Sequence, residues 1–229
     1  MCIRDRDITE LAIEKVASNE KEINMKNIKN LSFEPEFIKA LKILPCPYHR
    51  YYYKQKEMLE AELKAYEESG IRAKVVQNLE EELFALYKNE NLYEKPKQLE
   101  NRGGAYYSDV ACNLIDSIYN DKGDIQTVNT LNNGSIASIP AESVVEVSSV
   151  ITKNGPKPIT IGDLPIPVRG LVQQIKSFER MAIDAAITGD YHTALLAMTI
   201  NPLVASDTIA KQILDEMLEA HKEFLTQFP

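Results

Sequence analysis

The apolar period changes twice along this chain, and that change constrains the fold more than any single motif. Over residues 106–119, Val110, Ala111, Leu114, Ile115 and Ile118 recur at helical spacing. The segments that follow, "DIQTVNTLNNGSIASIP" and "SVVEVSSVITKNGPKPITI", alternate instead and are rich in Val, Ile and Thr, which predicts strands. Asn133-Gly134 and Asn154-Gly155 are hairpin-turn signals within them. Helical spacing then returns. Val168, Leu171, Val172, Ile175, Phe178, Ala182, Ile183 and Ala186 line one helix, a short helix covers about 193–198, and Ile209 to Leu225 line the last. Ahead of the change, helices are predicted over 8–23, 33–44, 51–69 (closed by Gly70) and 78–88, the last rich in Glu at its start. Helices, then strands in hairpins, then helices make an α+β fold, with helices around an antiparallel sheet, and not an alternating βαβ chain.

With 229 residues, 44% of them hydrophobic, the chain can bury one sizeable core. A net charge of -8 and the lack of a dense basic run exclude nucleic acid as a main partner. No apolar run approaches the roughly 20 residues a membrane-spanning helix requires. Cys2, Cys46 and Cys112 lie far apart without CxxC spacing, which implies neither a disulfide framework nor a zinc knuckle and fits a cytoplasmic protein. His49, His192 and His221 form no metal-binding pattern, and no GxGxxG or GxxxxGK[ST] loop occurs. The first six residues, "MCIRDR", match nothing that follows and read as an artefact, so residues 7–229 are taken as the domain. Helical spacing is already running at Ile8 and Leu11, which predicts a piece of a longer protein.

One constellation carries chemistry. In "RGGAYYS", residues 102–108, two glycines run into two tyrosines at a predicted helix start. Adjacent glycines serve a positive-φ turn or a close backbone approach. On the helical period Tyr107 shares a stripe with Val110, Ala111, Leu114 and Ile118, whereas Tyr106 points about 100° away. Tyr107 is therefore expected on the packed side, at the positive end of a helix, where an anion is favoured. A phenol with an ordinary pKa of about 10 needs such help to act as a base, and Arg102 stands close in sequence. Packing with one donated hydrogen bond is the other reading of the same placement. "NNGSI" reads as a hairpin turn or a substrate contact. "YHRYYYKQK", residues 48–56, reads as a sugar- or phosphate-binding patch or as an aromatic helix start.

Four segments in this order, "LPCPYHRYYY", "RGGAYYSDVA", "VNTLNNGSIASIP" and "TGDYHTALLAMTINPLV", resemble the C-terminal half of glycoside hydrolase family 4, the 6-phospho-β-glucosidase branch in particular. The resemblance implies a domain of the lactate-dehydrogenase C-terminal type whose N-terminal Rossmann half is missing. It also implies an NAD- and divalent-metal-dependent reaction, with Mn²⁺ as the metal. C3 of a 6-phosphoglucoside is oxidised, the C2 proton is removed and the aglycone leaves by elimination, which sets the family apart from two-carboxylate glycosidases. The family's base is the tyrosine before the serine of RGG-x-x-Y-S, here Tyr107. Arg102, Asn132 and Asn133 are candidates for substrate or phosphate contacts. No cofactor-binding or metal-binding residue of the family is matched in this half, and Cys46 is not the metal ligand. The half alone is then expected to be inactive and to expose an apolar interface, and a homodimer or homotetramer is implied. A 6-phospho-α-glucosidase or α-galactosidase of the same family, and a non-catalytic helical interaction domain, are the alternatives.

Overall fold

A computed structural model describes residues 2–3, 6–18, 28, 30–99, 107–204 and 206–228. The chain divides into two compact units, Met1–Ser108 and Asp109–Pro229.

In the first unit β1 (Cys2–Ile3) pairs antiparallel with β2 (Arg6–Asp7), within and just after the segment set apart as "MCIRDR". Then come α1 (Thr9–Ala17), α2 (Pro35–Leu41), α3 (Arg50–Tyr53), α4 (Gln55–Ser69) and α5 (Arg72–Tyr87). The further stretch predicted for the first helix, 19–23, lies outside the described residues. Pro35 sits at the start of α2, where its missing N–H costs nothing. The helix ends at Leu41 rather than at the prolines, because Lys42 turns left-handed at φ 54°. The single helix predicted over 51–69 is broken at Lys54, whose φ of -136° is not helical. Gly70, at φ 76°, closes α4 as expected, but α5 then begins at once, so Glu80–Glu82 fall mid-helix and not at its start. Ile13, Phe33 and Ile38 form the core here, with Phe37, Leu44 and Tyr53 packed against it.

The second unit holds a sheet of β3 (Ile125–Leu131), β4 (Val144–Thr152) and β5 (Gly155–Pro158) in the order β3-β4-β5, antiparallel throughout. Alternation is visible in β4, where Val145, Val147, Ser149 and Ile151 are buried. Asn154-Gly155 makes the tight β4–β5 turn, with Thr152 opposite Gly155 and Gly155 at φ 95°. Asn133-Gly134 does not close a two-residue hairpin. Leu131 pairs with Val144, so a 132–143 loop joins β3 to β4, and Asn133 (φ 45°) and Gly134 (φ 82°) form a turn inside it. Val145 and Val147 pack with Ile136 and Ile139 of that loop and with Val172 of α7 (Ile166–Thr188). Next, α8 (Tyr191–Ile200) starts at an Asp190 cap and α9 (Asp207–Ala220) at a Ser206 cap, each accepting a backbone N–H. Ala185, Ala194 and Leu214 join the three helices in a second core cluster. Helix α6 (Tyr107–Tyr119) crosses the boundary between the units.

Candidate active site

Helix α6 is amphipathic in sequence, yet its burial is one-ended. Ser117 is buried and Leu114 and Ile118 are half-buried, whereas Tyr107, Val110 and Ala111 are exposed. Tyr107 is the first described residue of the helix and is 79% exposed. The expectation that it faces packed side chains is thus corrected. Helical spacing fixes which residues share a stripe but not how far along the stripe the cover extends. Arg102 and the two glycines before Tyr107 lie outside the described residues.

At the covered end of α6 a cleft of about 400 Å³ is lined by Val110, Asn113, Ser117, Lys122, Asp124 and Gln126 among others. The Ser117 hydroxyl has the Asn113 carbonyl at 2.8 Å and Asp124 Oδ2 at 3.0 Å as acceptors. The Gln126 amide donates to Ser117 Oγ at 2.7 Å and to Asp124 Oδ2 at 3.1 Å. Gln126's amide first, and Ser117's hydroxyl after it, hold the Asp124 carboxyl below the usual carboxylate range. The Lys122 ammonium, followed by the Asn120 amide, does the same for Asp116. Two carboxylates both held ionised provide no general acid at neutral pH, since that role requires one of them to keep its proton. These residues escaped the sequence reading because their contacts join a helix end to a strand start, where no period marks them.

Asn132 is fully buried. Its amide N–H₂ faces the carbonyls of Ile136 (3.0 Å), Ile139 (2.7 Å) and Pro140 (3.2 Å), and its carbonyl accepts from Ser135 Oγ and the Ile136 N–H, both at 2.8 Å. The side chain thus holds the loop's shape, while Asn133 is exposed at its turn. Further anchors are Ile161 N–H to the Ser135 carbonyl (2.7 Å) and the Gln173 amide to the Ser138 carbonyl (3.0 Å).

The aromatic-basic segment folds as structure. Arg50 is buried, donating to the Leu31 carbonyl at 2.7 Å and to Asn30 Oδ1 at 3.1 Å, with its guanidinium 5.6 Å from the Phe33 ring centroid. Lys54 and Lys56 pair with Glu57 and Glu60. His49 Nδ1 accepts the Cys46 N–H at 2.9 Å, and burial lowers the imidazole's pKa. Among the described residues no three His, Cys, Asp or Glu side chains come together as a metal site, and no helix is long and apolar enough to cross a membrane.

Comparison with known proteins adds the chemical context. The family model "Family 4 glycosyl hydrolase C-terminal domain" matches residues 2–204. The chain is 67% identical to a "Probable 6-phospho-beta-glucosidase" of Bacillus subtilis (strain 168), over 96% of this chain and 50% of that protein. It is 45% identical to a 6-phospho-beta-glucosidase of Escherichia coli (strain K12), over 94% of this chain and 48% of the other. The 6-phospho-beta glucosidase of Thermotoga maritima, solved with manganese, NAD+ and glucose-6-phosphate, superposes with a TM-score of 0.81 at 30% identity, covering 97% of this chain and 50% of that one. The chain therefore spans about half the length of the relatives it matches.

Proposed function

The chain belongs to family 4 of the glycosyl hydrolases, of which it carries the C-terminal domain, and from that premise we propose that the intact enzyme hydrolyses 6-phospho-β-glucosides in the cytoplasm. The observation that carries the reading is likeness to 6-phospho-β-glucosidases along nearly the whole chain. NAD and Mn²⁺ would be held by the half of the enzyme that this chain does not span. The described residues bring together no metal-ligand set, and the sequence has no Gly-rich phosphate loop. When bound, those groups supply the oxidation at C3 and hold the charge that develops beside it.

The share of this chain is proton transfer at C2. Tyr107 Oη takes the C2 proton, the electron pair of that C–H bond moves toward C1, and the C1–O bond to the aglycone breaks. Asn132 shapes the loop, and Asn133 at its exposed turn is the better placed of the two to touch substrate, with Arg102 a further contact. The test is the completed enzyme, this chain joined to its N-terminal half. With NAD and Mn²⁺, activity on a chromogenic 6-phospho-β-glucoside should exceed that on its α-anomer. A preference for the α-anomer or for unphosphorylated α-galactosides would move the assignment within the family. Tyr107→Phe should slow C2-proton exchange into solvent by about 10²–10⁴-fold, the usual worth of a positioned base. Wild-type exchange in that variant would end the assignment of Tyr107.

A further inference from the structure

The Asn133–Gly134 turn is exposed, yet its backbone is tied to the far end of its own loop. The Asn132 N–H donates to the Ser143 carbonyl at 2.8 Å and the Asn133 N–H to the Ala141 carbonyl at 2.9 Å. The turn therefore sits where residues 141–144 place it. Helix α7 holds that same stretch of the loop from one face. Gln173, Lys176 and Arg180 recur at spacings of three and four, within about 60° of one another around the helix. The Gln173 amide donates to the Ser138 carbonyl at 3.0 Å and the Lys176 ammonium to the Val144 carbonyl at 2.9 Å. Arg180 pairs with Glu142 at 2.8 Å. Val172, at the edge of this face, packs with Ile136 and Ile139 of the loop. Gln174 is turned about 100° from Gln173 and donates instead to the Ile200 carbonyl of α8, at 2.9 Å.

We infer that the Gln173–Lys176–Arg180 face of α7 sets the position of the Asn133–Gly134 turn, with Gln173 and Lys176 as positioning residues for the substrate contact proposed at Asn133. A turn backed by a helix holds its side chain in place before substrate arrives, so less ordering is left to oppose binding. Arg180 and Glu142 are 50% and 63% exposed, which makes their pair the weakest of the three holds. The consequence for substrate rests on the function proposed above, whereas the hold on the turn does not.

The first measurement is amide hydrogen exchange in the full chain. Gln173→Met with Lys176→Met should speed exchange of the Asn133 N–H at least tenfold, and Gln174→Met should leave it within twofold. Unchanged protection in the double variant would overturn the inference, whatever the enzyme does. The second is steady-state kinetics of the completed enzyme on a chromogenic 6-phospho-β-glucoside. The double variant should raise KM at least threefold, the low end of what lost hydrogen bonds are worth, with kcat within twofold. Lys176→Arg, which keeps a donor, should hold KM near the wild-type value. In an Asn133→Ala background the double substitution should move KM less than twofold, because no side chain is left to place. An equal rise in both backgrounds would overturn the positioning role. If Asn133→Ala by itself leaves KM unchanged, the contact assigned to Asn133 fails, and hydrogen exchange alone decides whether α7 holds the turn. Gln173 is exposed, so Gln173→Met alone carries the same tests, with smaller changes, should the double variant lose its far-ultraviolet spectrum.

Discussion

Gly189→Ala tests whether the C-terminal tail is locked onto the end of α7. Gly189 caps that helix at φ 71°, its N–H donating to the Ala185 carbonyl at 2.8 Å. A Cβ there would stand 1.8 Å from the Gln227 carbonyl oxygen and 2.5 Å from its carbon, so backbone must move. The left-handed conformation alone costs a non-glycine residue about 1–2 kcal/mol. Displacing the tail also removes the 2.9 Å bond from the Gln227 amide to the Ala186 carbonyl, worth about 1 kcal/mol. It uncovers the half-buried Phe228 packed on Ala185, Ala194 and Leu214, worth about 1 kcal/mol more at half of a full Phe burial. The sum is about 3–4 kcal/mol. Urea unfolding followed by circular dichroism should show that loss in the full chain. In a chain ending at Glu223 the same substitution should cost only the conformational part, about 1–2 kcal/mol. An equal cost in both backgrounds would refute the locked tail, because the clash would then have no partner.

Asn132→Ala should cost roughly 2–4 kcal/mol, since it takes the partner from the Ile139 carbonyl and from the Ile136 N–H. Asn133→Gly should stay within about 0.5 kcal/mol, as its backbone is already left-handed and its side chain exposed; thermal melts compare the two. The pH dependence has a sign at each limb. Asp116, Asp124, Asp190 and Asp215 have lowered carboxyl pKa values, so their contribution is present above about pH 4 and is lost as pH falls through the folded values. Asp124→Asn should flatten that acid limb in melts from pH 5 to 2. His49 is lowered by burial, so its neutral form adds stability above about pH 6.5 that fades as pH falls through the folded value. The Tyr191 hydroxyl donates to Asp215 at 2.7 Å, which raises its pKa, and that contribution is complete below about pH 10 and lost above it. Tyr191→Phe should therefore weaken the pH sensitivity at the basic end, the part that remains belonging to Lys211, whose pKa Asp215 raises.

What the sequence made legible follows its periods. The alternation of β4 reports one face against one core, whereas the stripe predicted for α7 holds only in part: Val172 packs with the sheet, but Ile183 and Ala186 are exposed and Ala185, outside the stripe, is buried in the second cluster. Short-range backbone chemistry was legible where glycine demanded it, as at Gly70 and at the Asn154-Gly155 turn. It misled at Asn133-Gly134, because a two-residue hairpin and a turn within a twelve-residue loop use the same dipeptide. The deciding contact is Asn132 with carbonyls four to eight residues on, and no local pattern encodes it. The break at Lys54 and the early end of α2 are likewise single-residue departures inside otherwise helical stretches. At the candidate site the helical state of Tyr107 was readable, whereas its exposure was not. Covering the first turn of α6 depends on what lies over it, which the spacing of its own residues cannot specify.

That exposure separates two kinds of tyrosine. A core tyrosine contributes packing and a hydrogen bond, so losing its hydroxyl lowers stability and activity together. A base that takes a proton from carbon needs its oxygen at the reacting C–H and water kept away, conditions met only when substrate and the rest of the enzyme close over it. Tyr107, 79% exposed, stands ready for such cover, and Val110, Ile115 and Tyr119 on the same helix are exposed with it. Tyr107→Phe should therefore leave the melting temperature of this chain within about 2 °C, as expected of a surface change worth less than about 0.5 kcal/mol. The same variant should slow C2-proton exchange in the completed enzyme by about 10²–10⁴-fold, with its KM for the phosphorylated sugar largely kept. A fall in melting temperature matched by a parallel rise in KM would mark Tyr107 as structural. The catalytic base would then have to be sought outside α6.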